Sequence, residues 1–197
     1  MADEMNRRNT LRAVKGEFAY LKKRKKGIIL WLVCLVGIAL AVYITGLLLN
    51  KMSNHNIFTV IAILFALPVA KQIVAFILLY PYHSVSQERY QKAVDSLPEQ
   101  MELMADLVIT SSEQAMHLDF LAVGSKQVIG LLGDGKQQLS EVRRYLSQGV
   151  HNWSDGYKVK IVDSEKMFLQ ELQQAVSVET DLEEENRVKS YLKSLIV

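Results

Sequence analysis

The chain has 197 residues, a net charge of +2 and one cysteine, so an intramolecular disulfide is excluded. Its charge is unevenly distributed: residues 1–26 hold nine basic and three acidic residues, whereas residues 83–197 hold twelve basic and eighteen acidic residues. This asymmetry is typical of a basic arm beside a membrane and an acidic soluble domain. The sequence contains no P-loop, dinucleotide fingerprint, nucleophile elbow or Cys/His zinc set, which argues against the enzyme classes that these motifs define.

Residues 1–26 are interpreted as a basic N-terminal arm. Leu11, Val14, Phe18 and Leu21 recur at spacings of three and four, which predicts an amphipathic helix over residues 9–26. The basic residues that follow are expected to face anionic lipid head groups, unless they serve only as a topology signal; they are Lys22, Lys23, Arg24, Lys25 and Lys26. No motif supports nucleic-acid binding by these charges.

Residues 27–82 predict a transmembrane hairpin. Residues 27–49 are free of charge and, as a helix, would be about 34 Å long, enough to cross a hydrocarbon core of about 30 Å. Residues 57–80 form a second span after a short polar link, and the first apolar run is too long for a cleaved signal peptide. The basic cluster before the first span predicts a multi-pass protein of the cell membrane with both termini in the cytoplasm.

Small residues recur at every fourth position in both spans, a spacing that lets helix backbones approach closely. They are Gly37, Ala41 and Thr45 in the first span and Ala62, Ala66 and Ala70 in the second. The two stripes either meet within one hairpin or leave one free for a homo-oligomer.

Lys71 and Gln72 are polar residues inside the second span, about 13 Å from its end at Tyr80. A charged residue at this depth is a functional candidate by default. Neither span contains an acidic residue, so Lys71 either extends toward lipid phosphates or meets an acid on another chain.

Residues 83–197 predict a small cytoplasmic α/β (α+β) domain with a sheet of about four strands. The predicted helices cover residues 84–95, 99–106, 137–147, 164–176 and 179–195, the last being highly charged. The predicted strands cover residues 107–110, 118–123, 127–132 and 157–162, and Gly124-Ser125-Lys126 is predicted to close a hairpin.

One set of residues resembles the nuclease-related (NERD) branch of the restriction-endonuclease-like fold. The resemblance covers residues 106–162 and rests on Asp119 in a hairpin strand, on Asp134 and Lys136 after the next strand, and on the following helix and strand. It implies two carboxylates that hold Mg²⁺ or Mn²⁺ and a lysine that helps to activate water. The strand before Asp134 carries no charge, unlike the family pattern, so a degenerate copy that binds without catalysis is the alternative.

Three functions follow from these patterns. The leading hypothesis is a membrane-anchored module that binds a protein partner as a scaffold or regulatory subunit, without a cofactor. The second is a membrane-tethered metal-dependent hydrolase with Asp119, Asp134 and Lys136 as its site. The third is a small subunit of a transport or secretion complex, in which Lys71 meets an acidic residue of another chain. Trp153 and Tyr157 lie in a polar aromatic loop that is a candidate contact surface.

Overall fold

A computed structural model describes residues 13–49, 57–111, 114–135, 137–176, 178 and 181–197. The chain forms two units by its internal contacts, one of Lys23–Pro81 and one of Ala13–Lys22 with Tyr82–Val197. The helices are α1 (Tyr20–Leu49), α2 (Ile57–Leu64), α3 (Ala66–Leu79), α4 (Gln87–Asp95), α5 (Leu139–His151), α6 (Glu165–Gln173) and α7 (Leu182–Leu195). The strands are β1 (Glu102–Thr110), β2 (Ala115–Gly124), β3 (Gln127–Leu132) and β4 (Lys158–Val162).

Two helical stretches, Tyr20–Leu49 and Ile57–Leu79, are long and apolar enough to cross a membrane. The second is interrupted at Phe65, where α2 ends and α3 begins. Pro68 explains the interruption, because it has no N–H to donate to the carbonyl of Leu64. The predicted pair of apolar helices is therefore present, and the second has a break close to Pro68.

The second unit contains a four-stranded mixed sheet in the order β1-β2-β3-β4. The first three strands are antiparallel, and β4 pairs with β3 in parallel after the crossover through α5. Ser125 and Lys126 both have positive φ, at 48° and 56°, which is the backbone of a two-residue type I′ hairpin. The α+β class, the number of strands and the hairpin turn are thus confirmed.

Helices cover both faces of this sheet, which explains why its strands are almost continuously apolar. One face packs against α4 and α6, through Ala93 from α4 and Phe168 from α6. Phe168 stacks on Phe120 of β2 at 5.7 Å between ring centroids. The other face packs against α5 and α7, whose buried residues are Val142, Leu146, Val150, Val188 and Leu192.

The helix predicted over residues 99–106 is wrong, because β1 begins at Glu102. Two turns separate α4 from β1, with Leu97 N donating to Val94 O and Met101 N donating to Pro98 O. Met104 and Ala105 are fully buried in the sheet. Burial between two helical layers overrides the local helix signal of this segment.

The amphipathic helix predicted over residues 9–26 is also wrong for residues 13–19, which form turns before α1 starts at Tyr20. Gly16 and Ala19 have positive φ, at 82° and 58°, and the Gly16 carbonyl accepts a 2.9 Å hydrogen bond from Ala105 N at the edge of β1. Phe18 packs on Tyr90 at 4.7 Å between ring centroids, and Leu21 is fully buried. Phe18 and Leu21 of the apolar stripe therefore contribute to the core of the second unit, whereas Val14 is exposed and Leu11 lies outside the described residues.

Candidate functional site

Two aspartates face each other across β1 and β2. Ala105 pairs with Phe120 and Leu107 pairs with Leu118, which places Asp106 opposite Asp119. The register between β2 and β3 shifts by one residue between Leu118 and Phe120, so Asp119 is the extra residue of a β-bulge. A bulge turns a side chain away from the alternation of a regular strand, and such features are frequent beside functional sites.

Asp119 is occupied by an ion pair. Its Oδ2 atom lies 2.7 Å from the Arg89 guanidinium of α4, and the same guanidinium lies 2.5 Å from Glu165 at the start of α6. The Arg89 guanidinium also lies 5.8 Å from the centroid of the Phe120 ring, in a cation–π arrangement. The Asp119 side chain is only 11% exposed. The carboxylate therefore joins β2 to two helices and is not open to solvent as a free ligand.

Asp106 holds the two segments of the second unit that continue into the apolar helices. Its Oδ1 atom accepts a 2.9 Å hydrogen bond from Val85 N, and Ser84 Oγ accepts one of 3.0 Å from Lys22 N. Burial raises the pKa of the Asp106 carboxyl, and the hydrogen bonds from Val85, Ser84 and Leu21 offset part of that rise. Asp106 has φ of 57°, a left-handed conformation that Asp and Asn tolerate better than most residues.

His117 is buried beside this pair of carboxylates. Its Nδ1 atom lies 3.9 Å from Asp119 Oδ1, its ring stacks on Tyr82 at 4.9 Å between centroids, and its side chain is 2% exposed. Neither ring nitrogen makes a hydrogen bond of ordinary geometry with a described residue. Burial lowers the pKa of the imidazole, while the charge of Asp119 and the backbone of Asp134 oppose that shift. The ring is therefore held in its neutral form at neutral pH.

Gln137 fixes the backbone of His117 as a neighbouring strand would. His117 N donates to Gln137 Oε1 at 2.7 Å, and Gln137 Nε2 donates to His117 O at 2.7 Å and to Gly133 O at 3.0 Å. A Cβ atom at Gly133 would lie 2.3 Å from His117 Nδ1 and 2.6 Å from Asp119 Oδ1. Only glycine fits between the end of β3 and these two side chains.

Two of the three residues predicted as a hydrolytic site, Asp119 and Asp134, lie within the described residues. Asp119 is paired with Arg89, Asp134 lies in the bend after β3, and Lys136 lies outside the described residues. Among the described residues no group of three His, Cys, Asp or Glu side chains is arranged to hold a metal ion. Asp119 is thus engaged in an ion pair, and the hydrolytic role of the three residues stays a prediction.

The polar and small residues of the apolar helices lie on different faces. Lys71 is exposed and makes no ion pair with any described residue, whereas Gln72 is half-buried. Gly37, Ala41 and Thr45 are exposed, and a Cβ atom at Gly37 would meet nothing within 4 Å. In the second stripe Ala62 is half-buried, while Ala66 and Ala70 are exposed. The first stripe is thus exposed, and whether the two stripes pack within one hairpin or leave one for a homo-oligomer stays a prediction.

The basic cluster has both exposed and engaged members. Lys22, Arg24 and Lys26 are exposed. Lys25 Nζ donates a 3.0 Å hydrogen bond to Tyr80 O, the carbonyl that follows α3. A cation at the carboxyl end of a helix satisfies a free carbonyl and complements the helix dipole. This contact within the first unit links the beginning of one apolar helix to the end of the other.

A second surface of the domain presents aromatic rings. Trp153, which follows α5, is 50% exposed and stacks on Tyr191 of α7 at 5.8 Å between centroids. Arg187 and Ser190 line the same groove, whose volume is about 370 Å³. Tyr157, predicted to share this surface, is instead half-buried, with its hydroxyl buried.

Sequence reasoning missed Arg89, Asp106, His117 and Gln137. Asp106 carried one available signal, since an acidic residue stands inside an otherwise apolar run. Arg89, His117 and Gln137 carried no such signal in the sequence. Each is a polar residue at a position where a surface residue is expected, and each acquires its role only through tertiary contacts.

The chain was compared with family models, curated proteins and solved structures, and nothing in any of the three matches it.

Proposed function

We propose that this chain is a two-span membrane protein with both termini in the cytoplasm, whose α+β domain is a binding or regulatory module. One observation supports the proposal most directly. Leu21, in the first turn of α1, and Val85, six residues after the end of α3, are both hydrogen-bonded to Asp106 in β1. The domain therefore contains the first residues of α1 and the segment that follows α3, and one carboxylate binds both.

The charge pattern and the apolar helices support the membrane topology. The basic cluster precedes the first helix, and a cluster on this side favours a cytoplasmic N-terminus. The even number of spans then returns the domain to the same side. We expect the exposed members of the cluster, Lys22, Arg24 and Lys26, to face anionic head groups.

Cysteine labelling tests this topology on the whole chain. Cys34 is the only cysteine, so a Cys34→Ala background accepts single probes. A Ser53→Cys probe in the link between the spans should react with a membrane-impermeant maleimide in intact cells. A Ser190→Cys probe on the exposed face of α7 should react only after the membrane is permeabilised. Equal reaction of both probes in intact cells would show that the proposed topology is wrong.

The aromatic groove supports binding of a protein partner. Half-exposed Trp and Tyr side chains with a nearby Arg are enriched at the centres of protein interfaces. A photo-crosslinker at Ser194, in the groove, should give a discrete adduct in cells that Trp153→Ala abolishes. The same crosslinker at Lys158, exposed on β4, is the matched control. Identical adducts at both positions would contradict a binding role for this groove.

A hydrolase of the nuclease-related kind has less support. The order of β2, β3, α5 and β4 agrees with that resemblance, but the Arg89–Asp119 pair leaves the first carboxylate engaged. We propose the related fold only as a degenerate copy that binds.

A subunit of a larger membrane complex is the second candidate, and exposed Lys71 is the observation that favours it. If Lys71 pairs with an acid on another chain, Lys71→Leu should dissociate the native complex, whereas Val74→Leu on the same exposed helix should not. An unchanged complex in both variants would mean that Lys71 only extends toward the lipid head groups.

A further inference from the structure

The His117 ring lies against Tyr82, which is the first residue of the second unit after the second apolar stretch. Tyr82 begins the Tyr82–Val197 part of the second unit and stacks on His117 at 4.9 Å. Tyr82 hydroxyl also lies 3.4 Å from Ala115 O, the first residue of β2. Three residues later, Val85 N is bound to Asp106. The contacts of the segment 82–85 with the sheet thus include the ring stack on His117, the Tyr82 hydroxyl contact with Ala115 and the bond from Val85 to Asp106.

Several titratable or charged groups surround His117. The strands contribute Asp119 of β2 and Asp106 of β1, which lies opposite it. Arg89 comes from α4, and Asp134 comes from the bend after β3. The 82–85 segment contributes Tyr82 and His83. Asp119 is the nearest carboxylate, and its Oδ2 atom is already paired with Arg89. A proton added to the ring would therefore create a buried cation whose nearest anion is shared.

We propose that His117 is an acid-sensitive latch, in which uptake of a proton by the ring opens the Tyr82–His117 stack and releases residues 82–85 from the sheet. The proposal rests on the proposed function, because residues 82–85 matter as a latch only if the preceding helix lies in a membrane. An imidazolium needs water or a full ion pair, and this ring is 2% exposed. Tyr82 stacks on one face of the ring, and we infer that hydration of the ring occurs by movement of Tyr82 away from it.

The direction of the pH effect follows from the lowered pKa of His117. The closed latch binds fewer protons than the open latch, in which the histidine regains a pKa near its ordinary value of 6.5. The closed state is therefore fully stable above about pH 6.5 and loses stability as the pH falls below that value. The population of the open state rises by up to about tenfold for each pH unit if one proton is taken up.

Hydrogen exchange on the full chain in lipid nanodiscs tests the latch. Amide exchange of a peptide covering residues 82–90 is compared between wild type and His117→Phe at each pH from 8.0 to 5.5. The ratio of the two rates at one pH cancels the intrinsic pH dependence of exchange. We expect this ratio to rise below about pH 6.5, while a peptide covering β3 shows no change. His151→Gln, at an exposed histidine beside Asp155, should behave as wild type.

Two results would overturn the latch. A constant ratio of exchange rates between wild type and His117→Phe would show that His117 does not control the segment. Acid-induced exchange that rises equally across the whole domain would show the same. If the phenylalanine variant does not fold, His117→Gln, which keeps a neutral polar side chain, replaces it. Flotation of the same samples with vesicles tests membrane insertion separately: a chain that is not inserted contradicts the proposed function, whatever the exchange data show.

Discussion

Replacement of Arg89 should destabilise the domain, because it leaves the Asp119 carboxylate without its ion-pair partner. An Arg89→Met variant keeps an apolar stem but removes the guanidinium that lies over Phe120, so Asp119 loses its partner at 2.7 Å. Breaking a buried ion pair from one side costs about 3–5 kcal/mol. Asp119 is 11% exposed and Arg89 is 35% exposed, so solvent screens part of the interaction. We expect a loss of about 2 kcal/mol.

A double-mutant cycle isolates this interaction. Asp119→Asn removes the charge that Arg89→Met leaves unpaired, so the double variant should be more stable than Arg89→Met alone. Unfolding of the full chain in nanodiscs is followed by the fluorescence of Trp153 in a Trp31→Phe background, because the chain has two tryptophans. Urea titration gives the free energy of unfolding of each variant.

A coupling energy near zero between the two substitutions would refute the reasoning. It would mean that Asp119 is stabilised without Arg89, and so remains free to bind a metal ion. A Glu88→Gln variant is the matched control, because Glu88 pairs with Lys92 on the surface of the same helix and solvent screens such exposed pairs.

Three further predictions concern stability. Gly133→Ala should cost about 1–3 kcal/mol in urea unfolding, because its Cβ would lie 2.3 Å from His117 Nδ1; an unchanged midpoint would contradict the close approach. Asp106→Ala should lower the free energy of unfolding by about 2 kcal/mol, because it leaves Val85 N–H buried without an acceptor. Asp106→Asn should stay within about 1 kcal/mol of wild type, since Asn accepts the same hydrogen bond and tolerates the same φ. Burial raises the pKa of Tyr157 to about 12, above its unfolded value of about 10, so stability should fall as the pH rises from about 10 to 12. Tyr157→Phe should weaken that pH dependence in thermal unfolding, and an identical profile in both proteins would argue against a buried phenol.

The elements with strong local signals were predicted well. The strand over residues 127–132 was predicted at its observed bounds, because an apolar run there stands between two glycine-containing turns. The apolar helices were equally clear, since length and hydropathy define them without tertiary contacts. The strand predicted over residues 157–162 begins one residue before the observed β4 and ends at the same residue.

The elements that depend on burial were not predicted. Residues 102–106 carry the composition of a helix and become a strand because the sheet is covered on both sides. Residues 13–19 have a helical apolar spacing, but Gly16 and Ala19 adopt positive φ, and Phe18 packs on Tyr90 instead of facing lipid. In both segments the competing interaction comes from a distant part of the chain.

The candidate site was predicted only in part for a related reason. Asp119 was selected as a carboxylate in a hairpin strand, and the structure places it at a bulge in the centre of the polar cluster. Its partner Arg89 is thirty residues earlier, on the exposed surface of a helical pattern. No spacing rule connects a helix residue to a bulged strand residue, so the ion pair is visible only in three dimensions.

The outer edge of β1 has a consequence for how the protein behaves in concentrated solution. Gly16 O accepts from Ala105 N, and Val197 N donates to Val108 O at 3.0 Å, so distant parts of the chain occupy hydrogen-bonding groups that an edge strand otherwise leaves open. Asp106, between these contacts, interrupts the flat strand with its positive φ. An open, flat edge is a template for intermolecular strand pairing and aggregation. Distant parts of the chain thus protect the β1 edge of the sheet from pairing with a strand of a neighbouring molecule.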